Sequence, residues 1–123
     1  MAMYKDFYVK KILIIDDEKD LCLLLKGYLT KHHHEVTVAN NLFDGLSKAM
    51  EIKPDVVFLD NNLPDGHGWD KAAWFQNQFP GMHIILMSAF NSAPNFLQDP
   101  NRVHILEKPV SFSMLDKTLN GVQ

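Results

Sequence analysis

Apolar positions along this chain follow two alternating rhythms. Residues 11–15 (KILII), 56–59 (VVFL) and 84–87 (IILM) are nearly unbroken apolar runs, the pattern of parallel strands covered on both faces. Residues 103–106 (VHIL) make a fourth run, and Glu35-Val36-Thr37-Val38-Ala39 alternates polar with apolar, which suits an edge strand. Between the runs the spacing turns helical. Leu21, Leu24, Leu25, Tyr28 and Leu29 form one stripe. Leu42, Leu46, Ala49 and Met50 form a second, with Asn40 or Asn41 as its N-cap. Ala72, Phe75 and Phe79 form a third, closed by Pro80-Gly81. Ser111 is positioned to cap a last helix that turns Phe112, Leu115 and Leu119 inward.

Strand and helix in regular alternation predict an α/β fold: a five-stranded parallel sheet with helices on both faces and right-handed crossovers, in the doubly wound, flavodoxin-like manner. Five strands and five helices fill the length. One stretch resists this pattern. Residues 90–102 should hold the fourth helix, yet they contain Pro94, Asp99-Pro100 and several asparagines, so a short or irregular helix is expected there.

Composition narrows the class. At 123 residues the chain is expected to be a single domain over 1–123, with its core in 8–120. A net charge of −3 offers no electrostatic footprint for nucleic acid or an acidic membrane, so direct binding to either is not expected. No apolar stretch reaches the ~20 residues of a bilayer span, and the first residues lack the layout of a secretory leader. Cys22 is the sole cysteine, which rules out an internal disulfide and reads as a small buried hydrophobe rather than a redox sensor. A cytoplasmic location is the expectation.

The chemistry gathers where the apolar runs stop. The first leads into Asp16-Asp17, the second into Asp60, the third into Ser88-Ala89 and the last into Glu107-Lys108-Pro109. In open α/β sheets ligands bind beyond the carboxyl ends of the strands, so this fold would converge those groups. Clustered carboxylates repel unless a cation neutralises them, and an all-oxygen set suits Mg2+. Asp17 and Asp60 are expected as direct ligands, Asp16 as the holder of a metal-bound water, and the carbonyl of Asn62 as a further ligand. Asp60 would then act as a carboxylate nucleophile and become an aspartyl phosphate. Lys108 would neutralise one phosphoryl oxygen, and the Ser88 hydroxyl would donate to another.

These residues resemble the response-regulator receiver domain of two-component signalling. Asp16-Asp17, Asp60 with Leu63-Pro64-Asp65-Gly66-x-Gly68, Ser88-Ala89 and Lys108-Pro109 stand in the family's order and cover nearly the whole chain. The resemblance implies a phosphoacceptor at Asp60, Mg2+ as cofactor, and a histidine kinase or histidine phosphotransfer domain as donor. It also implies a cis peptide before Pro109 and self-catalysed chemistry rather than an enzyme with a separate substrate. The pattern departs at Ile105, where receivers carry the Tyr or Phe that swings inward with Ser88 on phosphorylation. An end at Gln123 suits a stand-alone regulator or a receiver excised from a longer regulator or hybrid kinase.

Two rivals follow from the same residues. A receiver-shaped interaction module could work unphosphorylated, as Ile105 suggests. A small aspartyl-phosphate phosphatase of the haloacid dehalogenase type would want an acid at Asn62. His32-His33-His34 reads as a solvated loop, because adjacent histidines cannot all face one ion on a regular element. Trp69 and Trp74 read as packing residues, and Phe90 as a border of the site entrance.

Overall fold

The structure is a computed structural model and describes residues 9–89 and 100–122. Five parallel strands make the central sheet: β1 (Lys11–Ile15), β2 (Glu35–Ala39), β3 (Val56–Asp60), β4 (His83–Ser88) and β5 (Val103–Glu107). They lie in the order β2-β1-β3-β4-β5, so the alternating run Glu35–Ala39 is an edge strand as its pattern predicted. The helices are α1 (Lys19–Lys31), α2 (Leu42–Ile52), α3 (Ala72–Gln78) and α4 (Phe112–Asn120). The helix expected within 90–102 falls mostly outside the described residues; a 3-10 turn over Pro100–Arg102 leads into β5.

Alternate residues of each strand build two cores. Leu13, Ile15, Val57, Leu59, Ile84 and Leu86 face one side, where Leu42, Ala49, Ala72 and Phe75 of α2 and α3 cover them. Ile12, Ile14, Val56, Phe58, Ile85, Met87 and Leu106 face the other, under Cys22, Leu25 and Leu29 of α1 and Leu115 of α4. Because β1, β3 and β4 are buried on both faces, their sequences have no polar beat.

Helix faces differ from expectation in detail. On α1 the buried positions are Cys22, Leu25 and Leu29, whereas Leu24 is 48% exposed. At 100° per residue Leu24 lies about 130° from the centre of that face. On α2 the buried set is Leu42, Gly45 and Ala49, and Met50 is exposed. Gly45 was missing from the apolar count, yet a Cβ there would come 2.5 Å from Ile15 Cδ1, so this face packs hard on β1. In α4 only Leu115 is fully inside; Phe112 stacks instead on Tyr28 of α1 with centroids 4.4 Å apart. The N-caps are as expected: the Asn41 side chain accepts from Asp44 N and the Ser111 side chain from Met114 N.

The segment after β3 is built to hold its last residue still. Asn62–Leu63 pairs antiparallel with Gly66–His67, and a 3-10 turn over Gly68–Lys71 follows. Gly68 sits so close that a Cβ would lie 2.0 Å from the carbonyl oxygen of Asp60. Asp65 reaches across to the start of α2, accepting from Leu42 N at 2.7 Å and Phe43 N at 2.8 Å. Trp69 is buried and donates its indole N–H to the Leu59 carbonyl at 3.2 Å.

Candidate functional site

Chain reversal between β1 and β3 creates the switch point at which such sheets bind ligands: from β1 the chain steps outward to β2, then returns to β3 on the other side. Asp16 leaves β1 and Asp60 closes β3 at this crevice, and β4 ends beside them in Ser88. Carboxylate oxygens of Asp16, Asp17 and Asp60 lie within 4.8 Å of one another. Among the described residues no other three His, Cys, Asp or Glu side chains converge this way, and the histidine run does not. Its members turn apart: His32 Nδ1 lies 2.9 Å from Tyr28 O, and His34, half-buried rather than solvated, accepts from Lys10 N.

Lys108 enters the cluster from the end of β5. Its Nζ lies 2.7 Å from Glu18 Oε1, 2.9 Å from Asp16 Oδ2 and 3.3 Å from Asp60 Oδ1. Its backbone N–H donates to Ser88 O at 2.8 Å, which ties the lysine to the end of β4. The Lys108–Pro109 peptide is cis, as the resemblance implied.

Electrostatics follow from this packing. Burial raises the Asp60 carboxyl above the usual range, and the Asp16 charge adds to it; Lys108 opposes both. Burial likewise raises Asp16, against the Glu18 N–H and Lys108. For Lys108 burial pulls downward, yet Glu18, Asp16 and Asp60 outweigh it and hold the ammonium above the ordinary lysine range. Three carboxylates, those of Glu18, Asp16 and Asp60, therefore share the Lys108 ammonium, and Asp17 adds a fourth acid to the cluster. That excess of hard oxygen donors, with Asp17 open to solvent, fits a small divalent ion.

Asp16 is further fixed by its backbone, whose carbonyl accepts from Asn40 Nδ2 at 2.9 Å and Cys22 Sγ at 3.2 Å. Burial pushes the Cys22 thiol up to about 11, helped by the Asp16 charge, which matches an inert packing residue. Asn62 is exposed in the hairpin after Asp60, and Ile105 is half-buried against the α2/α3 core, opposite Leu86 in the sheet register. Phe90 lies outside the described residues. Sequence reasoning missed Glu18, which makes the shortest contact to Lys108, and read Asn40 only as a candidate N-cap, not as a donor to Asp16. Both adjoin elements already singled out, but nothing local to either reveals its partner.

A doubly wound sheet with clustered acids and a lysine at its switch point defines a class of phosphate-handling α/β domains. Comparison makes the assignment specific. Residues 12–120 match the family model of the response regulator receiver domain, and the chain belongs to that family. It is 29% identical to the chemotaxis protein CheY of Thermotoga maritima, over 92% of this chain and 97% of that protein. It is 32% identical to the transcriptional regulatory protein CusR of Escherichia coli K12, over 85% of this chain but 47% of that protein. The chain spans about a quarter to a half of several regulators it matches, among them YvcP and YxdJ of Bacillus subtilis at 26% and 47% of their lengths. Among solved structures, a two-component response regulator from Clostridium difficile superimposes with TM-score 0.79 at 31% identity, covering 91% of this chain and 93% of that one. The response regulator TrrA of Thermotoga maritima, solved in complex with Mg2+ and BeF, gives TM-score 0.81 at 26% identity over 94% of this chain and 100% of that one. This chain is a receiver domain of two-component response regulators. Among the described residues no helix is long and apolar enough to cross a membrane.

Proposed function

We propose that Asp60 is the phosphoacceptor and takes its phosphoryl group from a histidine kinase or a histidine phosphotransfer domain in the cytoplasm. The observation that carries this reading is the meeting of Asp16, Asp17 and Asp60 within 4.8 Å, with the Lys108 ammonium 3.3 Å from Asp60. An Asp60 carboxylate oxygen attacks phosphorus; the bond from phosphorus to the donor nitrogen breaks, and that nitrogen keeps the electron pair. Asp17 and Asp60, the Asn62 carbonyl and, through water, Asp16 would hold Mg2+, which supplies charge neutralisation for the phosphoryl oxygens. Lys108 neutralises one of those oxygens and the Ser88 hydroxyl donates to another. The domain serves as its own catalyst and processes no separate substrate.

Receivers joined to effector domains, as CusR's length suggests, and receivers that stand alone, as CheY's does, are both compatible with this site. Ile105 favours a second reading, a module that recruits its partner unphosphorylated, because a branched aliphatic packed on the core cannot act as a swinging ring. The two part company in one experiment. Labelling by acetyl phosphate should require Mg2+ and vanish in Asp60→Asn; label that persists in the variant would defeat the phosphoacceptor assignment.

A further inference from the structure

We propose that Glu18 is a latch on Lys108: its carboxylate holds the ammonium in the resting domain and must release it before the lysine can serve a phosphoryl oxygen. The inference rests on the phosphoacceptor reading of Asp60 and adds a positioning residue to it.

Donor counting motivates the proposal. A lysine ammonium has three N–H donors and no acceptor. Three carboxylates surround Lys108 Nζ, with Glu18 at 2.7 Å, Asp16 at 2.9 Å and Asp60 at 3.3 Å. Glu18 accepts the hydrogen bond from Nζ, whereas Asp16 and Asp60 stand at ion-pair distance and Asp16 Oδ2 accepts no hydrogen bond, so the resting ammonium is aimed at Glu18 rather than at the nucleophile. To serve a phosphoryl oxygen on Asp60, the ammonium must turn from Glu18 toward it.

Only one of the three acids can leave cheaply. Asp16 is fully buried, and its other oxygen accepts from Glu18 N at 2.8 Å. Asp60 is the residue that carries the new group. Glu18 has a side chain 60% exposed, so its carboxylate can turn into water with little desolvation to reverse.

The position of Glu18 supports a dedicated role. It is the N-cap of α1, where Ser, Thr, Asp or Asn would accept from the helix's first N–H groups. Its side chain makes no capping bond, although its backbone carbonyl accepts from Cys22 N. The side chain caps none of the helix N–H groups; the hydrogen bond it accepts comes from Lys108. Glu18 therefore sets the threshold for capture of the phosphoryl group, by competing with it for the same cation.

Beryllium fluoride, an aspartyl-phosphate mimic, is the probe. Its affinity is read through tryptophan fluorescence, from Trp69 and Trp74 together, at saturating Mg2+ for the wild type, Glu18→Gln and Glu18→Asp. Release of the latch should tighten binding in Glu18→Gln by up to about fivefold, the ceiling for an exposed ion pair. Glu18→Asp, which keeps the charge on a shorter stem, should fall between the two. Added KCl should shrink the ratio of variant to wild-type affinity toward one, because screening weakens the latch itself. A purely structural Glu18 would not produce that convergence. Equal affinities in wild type and Glu18→Gln, or weaker Mg2+ binding as the main effect of Glu18→Gln, would overturn the latch. Failure of the wild type to bind beryllium fluoride with Mg2+ would instead overturn the phosphoacceptor reading beneath it.

Discussion

Gly68→Ala is the most informative single change outside the acid cluster. The new Cβ would lie 2.0 Å from the Asp60 carbonyl oxygen, with Leu59 Cδ1 at 3.0 Å and Leu63 Cδ1 at 3.1 Å. Carbon and carbonyl oxygen rarely approach below about 3.3 Å, so the two backbone segments must part by roughly 1 Å. The side chains could adjust, but the carbonyl cannot, because it belongs to the end of β3. Forced expansion of a packed site costs about 1–3 kcal/mol. For a domain of this size that lowers the melting temperature by about 4–12 °C. A shift of roughly 1 Å at the nucleophile would also slow labelling by acetyl phosphate up to about a hundredfold. Circular-dichroism melts and initial labelling rates read both effects. Gly27→Ala is the control: nothing lies within 4 Å of that Cβ, and the better helix former should raise the melting temperature by a few degrees. A Gly68→Ala protein that melts with the wild type and labels at its rate would refute the reasoning.

Other expectations follow from the same structure. Mg2+ at about a hundred times its dissociation constant should add ~2.7 kcal/mol of stability, read as a thermal shift, and Asp17→Asn should lose most of it; an equal shift in the variant would remove Asp17 from the ion's ligands. Burial lowers the folded-state pKa of His104, whose Nε2 lies 3.0 Å from His83 Nδ1, and the His83 charge adds to it; burial lowers His34 as well. The unfolded chain therefore takes up these protons first, and stability present above about pH 6.5 is lost as pH falls through that value. Asp16 and Asp60, raised by burial, act in the opposite sense nearer the carboxylate range, so the loss should set in as pH falls below about 6.5. His104→Gln should flatten that slope in melts; an unchanged slope would clear the histidine pair. The Cys22 thiol, pushed up to about 11 by burial, should resist iodoacetamide at pH 8 in the folded protein and react once urea unfolds it. Fast labelling of the native chain would contradict its burial.

What the sequence made legible, and what it hid, has a physical pattern. β1, β3 and β4 could be read because double-sided burial leaves an apolar run with polar residues at both ends, and those ends carry Asp16, Asp60 and Ser88. Lys108 was readable from its place after the last run. The helix faces were harder, since a stripe counted in leucines overlooks Cys22 and Gly45, which lie on the buried sides of α1 and α2. Contacts made across the fold were invisible: Glu18 and Lys108 meet over 90 positions, and Asp65 ties its loop to α2 over 22 and 23. Asp65 and Gly68 were noticed as motif letters only; their work on the Asp60 loop required coordinates.

The central claim is that one phosphoryl group is captured, on Asp60, with the help of a divalent ion. Its most direct test is acetyl phosphate treatment with Mg2+, borohydride trapping of the acyl phosphate and peptide mapping by mass spectrometry. One modified residue per chain, at Asp60 and abolished by EDTA, is the predicted result. Modification at another residue, or modification indifferent to EDTA, would contradict it.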